Sequence, residues 1–115
     1  MPTGFPRPNQ AALAHGLETI HAVLQSHPAG LDVRACLDAV LPVLAAEDPR
    51  WTAVAPDAAG VPRMPWAAAL VTAAADDPAI DVQRVRLEPY NNQYGTPKTG
   101  LFRFAVRWIL REPAP

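Results

Sequence analysis

The last third of the chain alternates between apolar and polar residues in a way that is typical of a β-strand. Between residues 101 and 111 the even positions are all apolar, namely Phe102, Phe104, Val106, Trp108 and Leu110. The odd positions include Arg103, Arg107 and Arg111. Because successive side chains of a strand point to opposite faces of the sheet, this segment is predicted to have one buried and one solvated face.

An antiparallel partner for this strand is predicted from about Ile80 to Tyr90. Val85 and Leu87 are expected to face the core. The charged residues that alternate with them are expected to face water, and these are Arg84, Arg86 and Glu88. The two strands together predict a C-terminal β-hairpin.

Two further features of this hairpin are predicted. Ile80 and Val82 occupy even positions of the strand, whereas the inward-facing Val85 occupies an odd one. This change in the alternation of apolar residues predicts a β-bulge near Gln83. The connection from Asn91 to Gly100 is long, polar and rich in turn-forming residues.

Six of the ten basic side chains are therefore expected on one face of the hairpin and in its connection, namely Arg84, Arg86, Lys98, Arg103, Arg107 and Arg111. Only Glu88 opposes them, so residues 82–111 carry +6 − 1 = +5, whereas residues 1–81 carry +4 − 9 = −5 and Glu112 completes the total of −1. Like charges opposed across a hairpin repel each other. This repulsion must be offset by an acidic neighbour or an anionic partner of the hairpin.

Three helices are predicted before the hairpin. Asn9 is a suitable N-cap for the first, which runs to about Ser26, and Asp32 is a suitable N-cap for the second. Pro65 suits the first turn of the third, which ends near Asp77. In the second helix Pro42 predicts either a kink or two short helices that meet there.

The apolar residues from Ala45 to Pro62 show no sustained periodic spacing. A short strand around residues 51–54 is one interpretation of this stretch. The simplest role for Trp51, Trp66 and Trp108 is in a core between the helices and the hairpin. We predict an α+β fold of about three helices followed by a C-terminal antiparallel β-hairpin. It forms a single domain over residues 9–111, with an extended tail at 1–8 and a Pro-rich tail at 112–115.

The order helix, helix, helix, strand, long polar connection, strand resembles the winged-helix family over about residues 10–111. In that family the third helix enters the DNA major groove and the hairpin connection forms the wing. The resemblance implies that Pro65–Asp77 is the recognition helix and Asn91–Gly100 the wing. This helix has no Arg, Lys, Asn or Gln to contact base edges. Members that do not touch DNA through this helix commonly serve as protein-interaction modules.

Two functions remain open at this stage. The first is a small accessory or regulatory protein that binds a DNA or RNA backbone through the basic hairpin. Its expected contact residues are Arg63, Arg84, Arg86, Tyr90, Asn91, Asn92, Tyr94, Lys98, Arg103 and Arg107. The second is a protein-interaction module, either a homodimer or an assembly subunit, with no nucleic-acid contact. In a third interpretation, the arginines pair with nearby carboxylates such as Asp81 and form an ordinary solvated surface of the hairpin.

Other chemistry is not expected. His15, His21 and His27 are spaced by six residues, so they cannot share a metal on one straight helix. Cys36 lies on an apolar helix face and is expected to be a buried small side chain. We predict no enzyme, cofactor, metal site or membrane segment. The single cysteine agrees with a reducing cytoplasm, and the Arg-, Ala- and Pro-rich composition suggests a GC-rich bacterial genome.

Overall fold

The computed structural model describes the backbone of residues 7–91 and 97–111, and the side chains of residues 7–84 and 106–111. The helices within these ranges are α1 (Gln10–Gln25), α2 (Val33–Glu47) and α3 (Pro65–Ala75). The strands are β1 (Leu31–Asp32), β2 (Ala55–Pro56), β3 (Pro62–Arg63), β4 (Ile80–Asn91) and β5 (Pro97–Leu110). The predicted α+β class is confirmed.

The first helix begins and ends where its capping residues predict. The Asn9 side chain accepts a hydrogen bond from the Ala12 amide at 2.8 Å, which satisfies one of the free N–H groups of the first turn. The helix ends at Gln25, with Ser26 as its C-cap. The apolar stripe of α1 faces the core, where it buries Gly16, Ile20 and Leu24.

The second helix is continuous through Pro42. Asp32 caps it by accepting a hydrogen bond from the Arg34 amide at 2.9 Å, and the helix then runs to Glu47. A proline inside a helix removes one backbone hydrogen bond. Burial of the opposite face of α2 against the core offsets this loss, and the residues buried there are Cys36, Val40 and Leu44.

The segment between α2 and α3 contains regular structure that its sequence did not predict. Pro49–Thr52 form a 3₁₀ helix, so the strand predicted around residues 51–54 is wrong. The next strand, β2, pairs with β3 in a small ribbon. The Asp57 carboxylate accepts hydrogen bonds from the Ala59 and Val61 amides at 2.8 and 2.9 Å and so closes the turn of this ribbon.

All three tryptophans lie in the core, as predicted. Trp51 and Trp66 meet edge to face with their ring centroids 4.9 Å apart, a geometry that aromatic pairs favour. Trp108 is 1% exposed and packs where the helices cover the sheet. The Arg50 guanidinium lies 4.5 Å from the centre of the Trp66 ring and covers it from the solvent side as a cation–π contact.

The three-stranded sheet has the order β1-β5-β4. Leu31 pairs with Trp108 and Asp32 with Arg107, so the strand formed before α2 closes one edge of the last strand. Gly30 precedes β1 with a φ of +90°, a conformation that glycine adopts without a steric penalty. A Cβ at Gly30 would lie 2.4 Å from Ile109 Cγ1 and 2.9 Å from the Trp108 carbonyl oxygen. This close approach requires glycine.

The hairpin strands are longer than predicted, and their irregularities lie at different residues. Its pairs run without interruption from Ile80 opposite Leu110 to Arg86 opposite Phe104, so the bulge predicted near Gln83 is wrong. The register shifts lie between Arg86 and Pro89 and between Pro89 and Asn91. Residues 97–100, predicted to be part of the connection, belong to β5.

The helices cover only the base of this hairpin. Ile80 and Trp108 are buried beneath them, whereas Val82 and Val106 are 40% and 38% exposed. The fourteen residues of β5 span about 46 Å at about 3.3 Å per residue. The sixteen residues of α1 span only about 24 Å. We call residues 82–91 and 97–106 the arm, because they extend past the helical cover.

Candidate interaction surface

The register of β4 and β5 decides which side chains share a face of the arm. Paired residues of neighbouring antiparallel strands project to the same side of the sheet. Val82 pairs with Trp108 and Arg84 with Val106, so these four residues project to the face that the helices cover at the base. We call it the inner face, and the opposite side the outer face.

The prediction that the arginines share one solvated face is therefore wrong. Arg84 belongs to the inner face, because its partner Val106 lies two residues from the buried Trp108. Arg107 pairs with Gln83 on the outer face. Arg86 is paired with Phe104, so in register it follows Arg84 and not Arg107. The predicted inward positions of Val85 and Leu87 concern side chains that lie outside the described part of the chain.

The outer face at the base of the sheet is electrostatically compensated. Arg111 NH2 donates to Asp81 Oδ1 at 3.2 Å, and Gln83 Nε2 donates to Asp81 Oδ2 at 3.0 Å. Arg107 lies between Asp32 on one neighbouring strand and Gln83 on the other. These cations therefore have carboxylates beside them, as the solvated-face interpretation expects, and attract an anionic ligand weakly.

The described part of the inner face of the arm, which comprises Val82, Arg84 and Val106, is apolar and cationic. Val82 and Val106 continue the apolar surface of Trp108 past the end of the helical cover. Arg84 comes next and is exposed, and among the described side chains it has no carboxylate within ion-pair distance. This is the one place on the described hairpin where exposed apolar groups and an unneutralised cation adjoin.

The solvent-facing side of α3 carries almost no polar groups. Its exposed residues after the first turn are Ala68, Thr72 and Ala75, and the Thr72 hydroxyl already donates to the Ala68 carbonyl at 3.2 Å. A helix of this composition presents nothing that distinguishes one base edge from another. Direct base recognition through α3 therefore has no chemical basis in this chain.

Arg63 lies on β3, and its Nε donates to Asp57 Oδ2 at 3.2 Å. Backbone hydrogen bonds from Val61, followed by this bond from Arg63, lower the pKa of Asp57. Between the β2–β3 ribbon and α3 lies an open groove of about 540 Å³, which Arg7 and Arg63 help to line. Arg63 is thus paired and separate from the arm.

Several predicted contact residues lie outside the described part of the chain. This applies to the side chains of Arg86, Tyr90, Asn91, Lys98 and Arg103, and to Asn92 and Tyr94 altogether. The tails at residues 1–6 and 112–115 lie outside it as well. Of the ten predicted contact residues, Arg63, Arg84 and Arg107 can therefore be located, and they occupy three different surfaces.

The histidines serve three separate structural roles. His15 Nε2 donates to Glu47 Oε2 at 2.6 Å and ties α1 to the end of α2. His21, which is half-buried, donates to Asp77 Oδ2 at 2.7 Å and ties α1 to the end of α3. His27 bonds the Val23 carbonyl. Among the described residues no three His, Cys, Asp or Glu side chains are arranged to hold a metal ion.

The remaining reactive group is fully enclosed. Cys36 is buried in the core, and the loss of solvation raises the pKa of its thiol to about 11. The prediction that it is a small core side chain is confirmed. No helix in the described part of the chain is long and apolar enough to cross a membrane.

Two structural features were missed by the sequence analysis. The first is β1, whose two residues give no periodic signal, although the glycine before Leu31 was a hint. The second is the contact of Arg50 with Asp48, in which Arg50 Nε donates to Oδ1 and Oδ2 at 3.1 Å each and NH2 donates to Oδ2 at 2.7 Å. Bonding to Arg50 lowers the pKa of Asp48. An Asp-Pro-Arg-Trp sequence is compatible with this contact but does not predict it.

Comparisons with protein-family models, with curated proteins and with solved structures find no match to this chain. The function is therefore argued from the surface alone.

Proposed function

We propose that this chain is a protein-interaction module whose arm binds an acidic protein surface. The order of its elements, three helices followed by a long hairpin, supports an interpretation as a winged-helix-like domain of the kind that contacts proteins. The proposal assigns the protein no catalytic role. It includes a reducing, cytoplasmic location, supported by the single cysteine, and a bacterial origin, supported by the Arg-, Ala- and Pro-rich composition.

The observation that carries the proposal is the inner face of the arm. Val82 and Val106 are exposed although they continue a buried apolar surface, and Arg84 adjoins them. Arginine is enriched in protein interfaces, and exposed apolar groups beside it add area that a partner can bury. The sequence charge of +5 over residues 82–111 adds long-range attraction to an acidic partner.

The proposal is tested by affinity capture of the tagged full chain and of a Val82→Ser, Val106→Ser double variant. A matched control is Val43→Ser, Val54→Ser, because Val43 and Val54 are also exposed but lie on α2 and before β2. We expect the arm variant to lose a partner that wild type and control retain. That partner is then purified, and its binding is measured directly by calorimetry. Equal binding of all three proteins would refute the proposal.

Nucleic-acid binding by the arm is the second candidate. The net charge of residues 82–111 favours it, together with the exposed Arg84, which has no carboxylate within ion-pair distance among the described side chains. Contacts to phosphates need no base-reading side chains, so the bare face of α3 does not count against it. Two observations make it the weaker candidate. Arg84 and Arg107 lie on opposite faces of the sheet, and acids lie beside the cations at its base.

Fluorescence anisotropy with duplex and single-stranded oligonucleotides distinguishes this candidate from the first. Phosphate contacts predict an affinity that falls steeply as salt is raised, because each contact releases counterions. Arg84→Glu is expected to weaken binding, and Arg34→Glu, an equal charge change on α2, is not. Absence of binding at low salt, or binding that does not respond to salt, would end this candidate.

A further inference from the structure

We propose that the acidic partner is bound by strand addition, in which an extended acidic segment pairs with the edge of β4. This inference rests on the proposed function and names the part of the partner that is recognised. The segment becomes a fourth strand of the sheet, on the side of β4 away from β5. Its backbone bonds to β4, and its side chains lie beside Val82 and Arg84.

β4 is an edge strand of the three-stranded sheet. The strand order is β1-β5-β4, so β4 pairs with β5 on one side and with no described strand on the other. From Ile80 to Arg86 the pairing with β5 is regular, and these seven residues span about 23 Å at about 3.3 Å per residue. We call the side of residues 80–86 that faces away from β5 the free edge.

One backbone hydrogen bond determines which groups of β4 point to the free edge. The Arg111 N–H donates to the Ala79 carbonyl at 2.8 Å, so these two residues belong to a hydrogen-bonded pair. Bonded and non-bonded pairs alternate along an antiparallel ladder, which places the next bonded pairs two and four residues further along β4. The residues between them turn their N–H and C=O groups to the free edge, and these are Ile80, Val82, Arg84 and Arg86.

The outward groups of Val82 and Arg84 have no partner in the described part of the chain. No backbone or side-chain hydrogen bond described there reaches them, whereas the Ile80 N–H donates to the Asp77 carbonyl at 3.0 Å. Both residues are also exposed, and Val82 keeps 40% of its surface accessible. A strand edge with free N–H and C=O groups is a template for pairing with another chain.

The usual protection of such an edge begins only after this segment of β4. Proteins protect edges with bulges, with proline or with a covering element. In the described backbone of β4 the register shifts follow Arg86, and Pro89 lies among them. The regular ladder between Ile80 and Arg86 is therefore open and has a defined end, which suits a short bound segment.

The side chains beside the free edge favour an acidic segment. A residue paired with Arg84 projects to the same face as Arg84. Arg84 has no carboxylate within ion-pair distance among the described side chains, so an acid at the paired position neutralises it. The residue two positions away pairs with Val82, which favours an apolar side chain. The recognised pattern is an acidic and an apolar residue two positions apart in an extended segment.

A second copy of β4 does not supply this pattern. Symmetric pairing at the free edge places the outward-turned residues of one copy opposite those of the other. None of Ile80, Val82, Arg84 and Arg86 is acidic. Each Arg84 would therefore meet an apolar residue or another arginine, and like charges opposed across two strands repel. The occupant is a segment of a different protein.

The test is fluorescence anisotropy of a labelled synthetic peptide with the full chain. The peptide has blocked ends and the repeat Val-Thr-Glu-Thr, so valine and glutamate share one face of the extended peptide. We expect it to bind, and to bind more weakly as salt screens the charges. An analogue with lysine in place of glutamate is expected not to bind. Absence of binding at about 1 mM glutamate peptide would overturn the inference.

Methylation of the peptide backbone distinguishes strand addition from binding through side chains alone. The valine and glutamate residues that lie beside Val82 and Arg84 also turn their amides to the free edge, whereas the threonine amides turn away from it. Methylation of the valine and glutamate nitrogens is expected to abolish binding. Methylation of the threonine nitrogens is the matched control and is expected to preserve it. Equal effects of the two would overturn the inference.

Val82→Pro tests the same bond on the protein. It removes the outward N–H but keeps an apolar side chain, and proline is accepted at an edge position whose N–H faces solvent. Val82→Ala is the matched control, because it keeps the N–H. Val82→Pro is expected to raise the Kd of the glutamate peptide about tenfold more than Val82→Ala does. Circular dichroism confirms the fold, and if Val82→Pro does not fold, the methylated peptides decide the matter.

Amide hydrogen exchange measured by NMR locates the added strand. The Val82 and Arg84 amides are expected to exchange faster than the Gln83 amide in the free protein, and to slow when the glutamate peptide is added. Slowing that depends on protein concentration without peptide would make a second copy the occupant and would overturn the inference.

The proposed function fails separately from strand addition. If Val82→Ser, Val106→Ser loses a captured partner that Val82→Pro retains, the partner contacts the inner face of the arm without joining the sheet. Only the inference of strand addition is then lost.

Discussion

Leu31 of the two-residue strand β1 lies directly opposite Trp108, the largest buried side chain of the fourteen-residue strand β5. The pairing encloses the indole between Leu31 on one side and Val82 on the other, beneath the helices. This contact joins the N-terminal helical half to the C-terminal hairpin.

Trp108→Ala is expected to lower the free energy of unfolding by about 3–5 kcal/mol, because it leaves a cavity under the helices. Arg107→Ala, one residue earlier on the exposed outer face, is expected to change it by no more than about 0.5 kcal/mol. Urea unfolding followed by fluorescence of the remaining tryptophans measures both. The reverse ranking would mean that the faces of β5 are inverted.

Gly30→Ala is expected to destabilise the protein more than Gly60→Ala. Both glycines have positive φ, at +90° and +80°, so both substitutions strain the backbone by about 1–2 kcal/mol. Only at Gly30 would the new Cβ also overlap Ile109 and the Trp108 carbonyl, whereas nothing lies within 4 Å of a Cβ at Gly60. Thermal melts of the two variants compare them. Equal melting temperatures would contradict the close approach of Gly30 to β5.

Cys36 is expected to resist modification by a thiol reagent such as DTNB at pH 8. A thiol pKa of about 11 leaves roughly a thousandth of the group as thiolate at that pH, and the side chain is buried. In urea the same reagent is expected to titrate one thiol per chain. Rapid stoichiometric reaction of the folded protein would show that the interface of α2 with the core opens readily.

Acidification is expected to destabilise the protein in part through Asp48 and Asp57. The pKa of each is lowered in the folded state, so the unfolded chain binds more protons as the pH falls. Their contribution to stability is present above the ordinary Asp pKa of about 3.9 and is lost as the pH falls through the lower folded values.

An Asp48→Asn, Asp57→Asn double variant tests this contribution. Asparagine can still accept the capping hydrogen bonds but does not titrate. The loss of unfolding free energy between neutral and acidic pH, measured by urea titration, is expected to be smaller in the variant than in wild type. An identical loss in the two proteins would assign the acid sensitivity to other groups.

The features that local sequence determines were predicted correctly. Asn9 and Asp32 cap their helices because a short polar side chain reaches an amide only two or three residues away. The alternation after Leu101 predicted a strand with Trp108 buried and Arg107 exposed, because neighbouring side chains of a strand must point to opposite sides. Each of these inferences requires only the geometry of a few consecutive residues.

The position of the arginines was decided by tertiary structure. The alternation of side chains along β4 predicts that Arg84 and Val85 face opposite sides of the sheet. It does not predict which of the two sides faces the helices, because the alternation is the same in either case. That choice is made by pairing Val82 with Trp108, which lies far away in sequence, and by β1, which closes the other edge of β5. Strand periodicity is a local property, whereas register is set by the contact of distant segments, and for this reason only the folded chain separates Arg84 from Arg107.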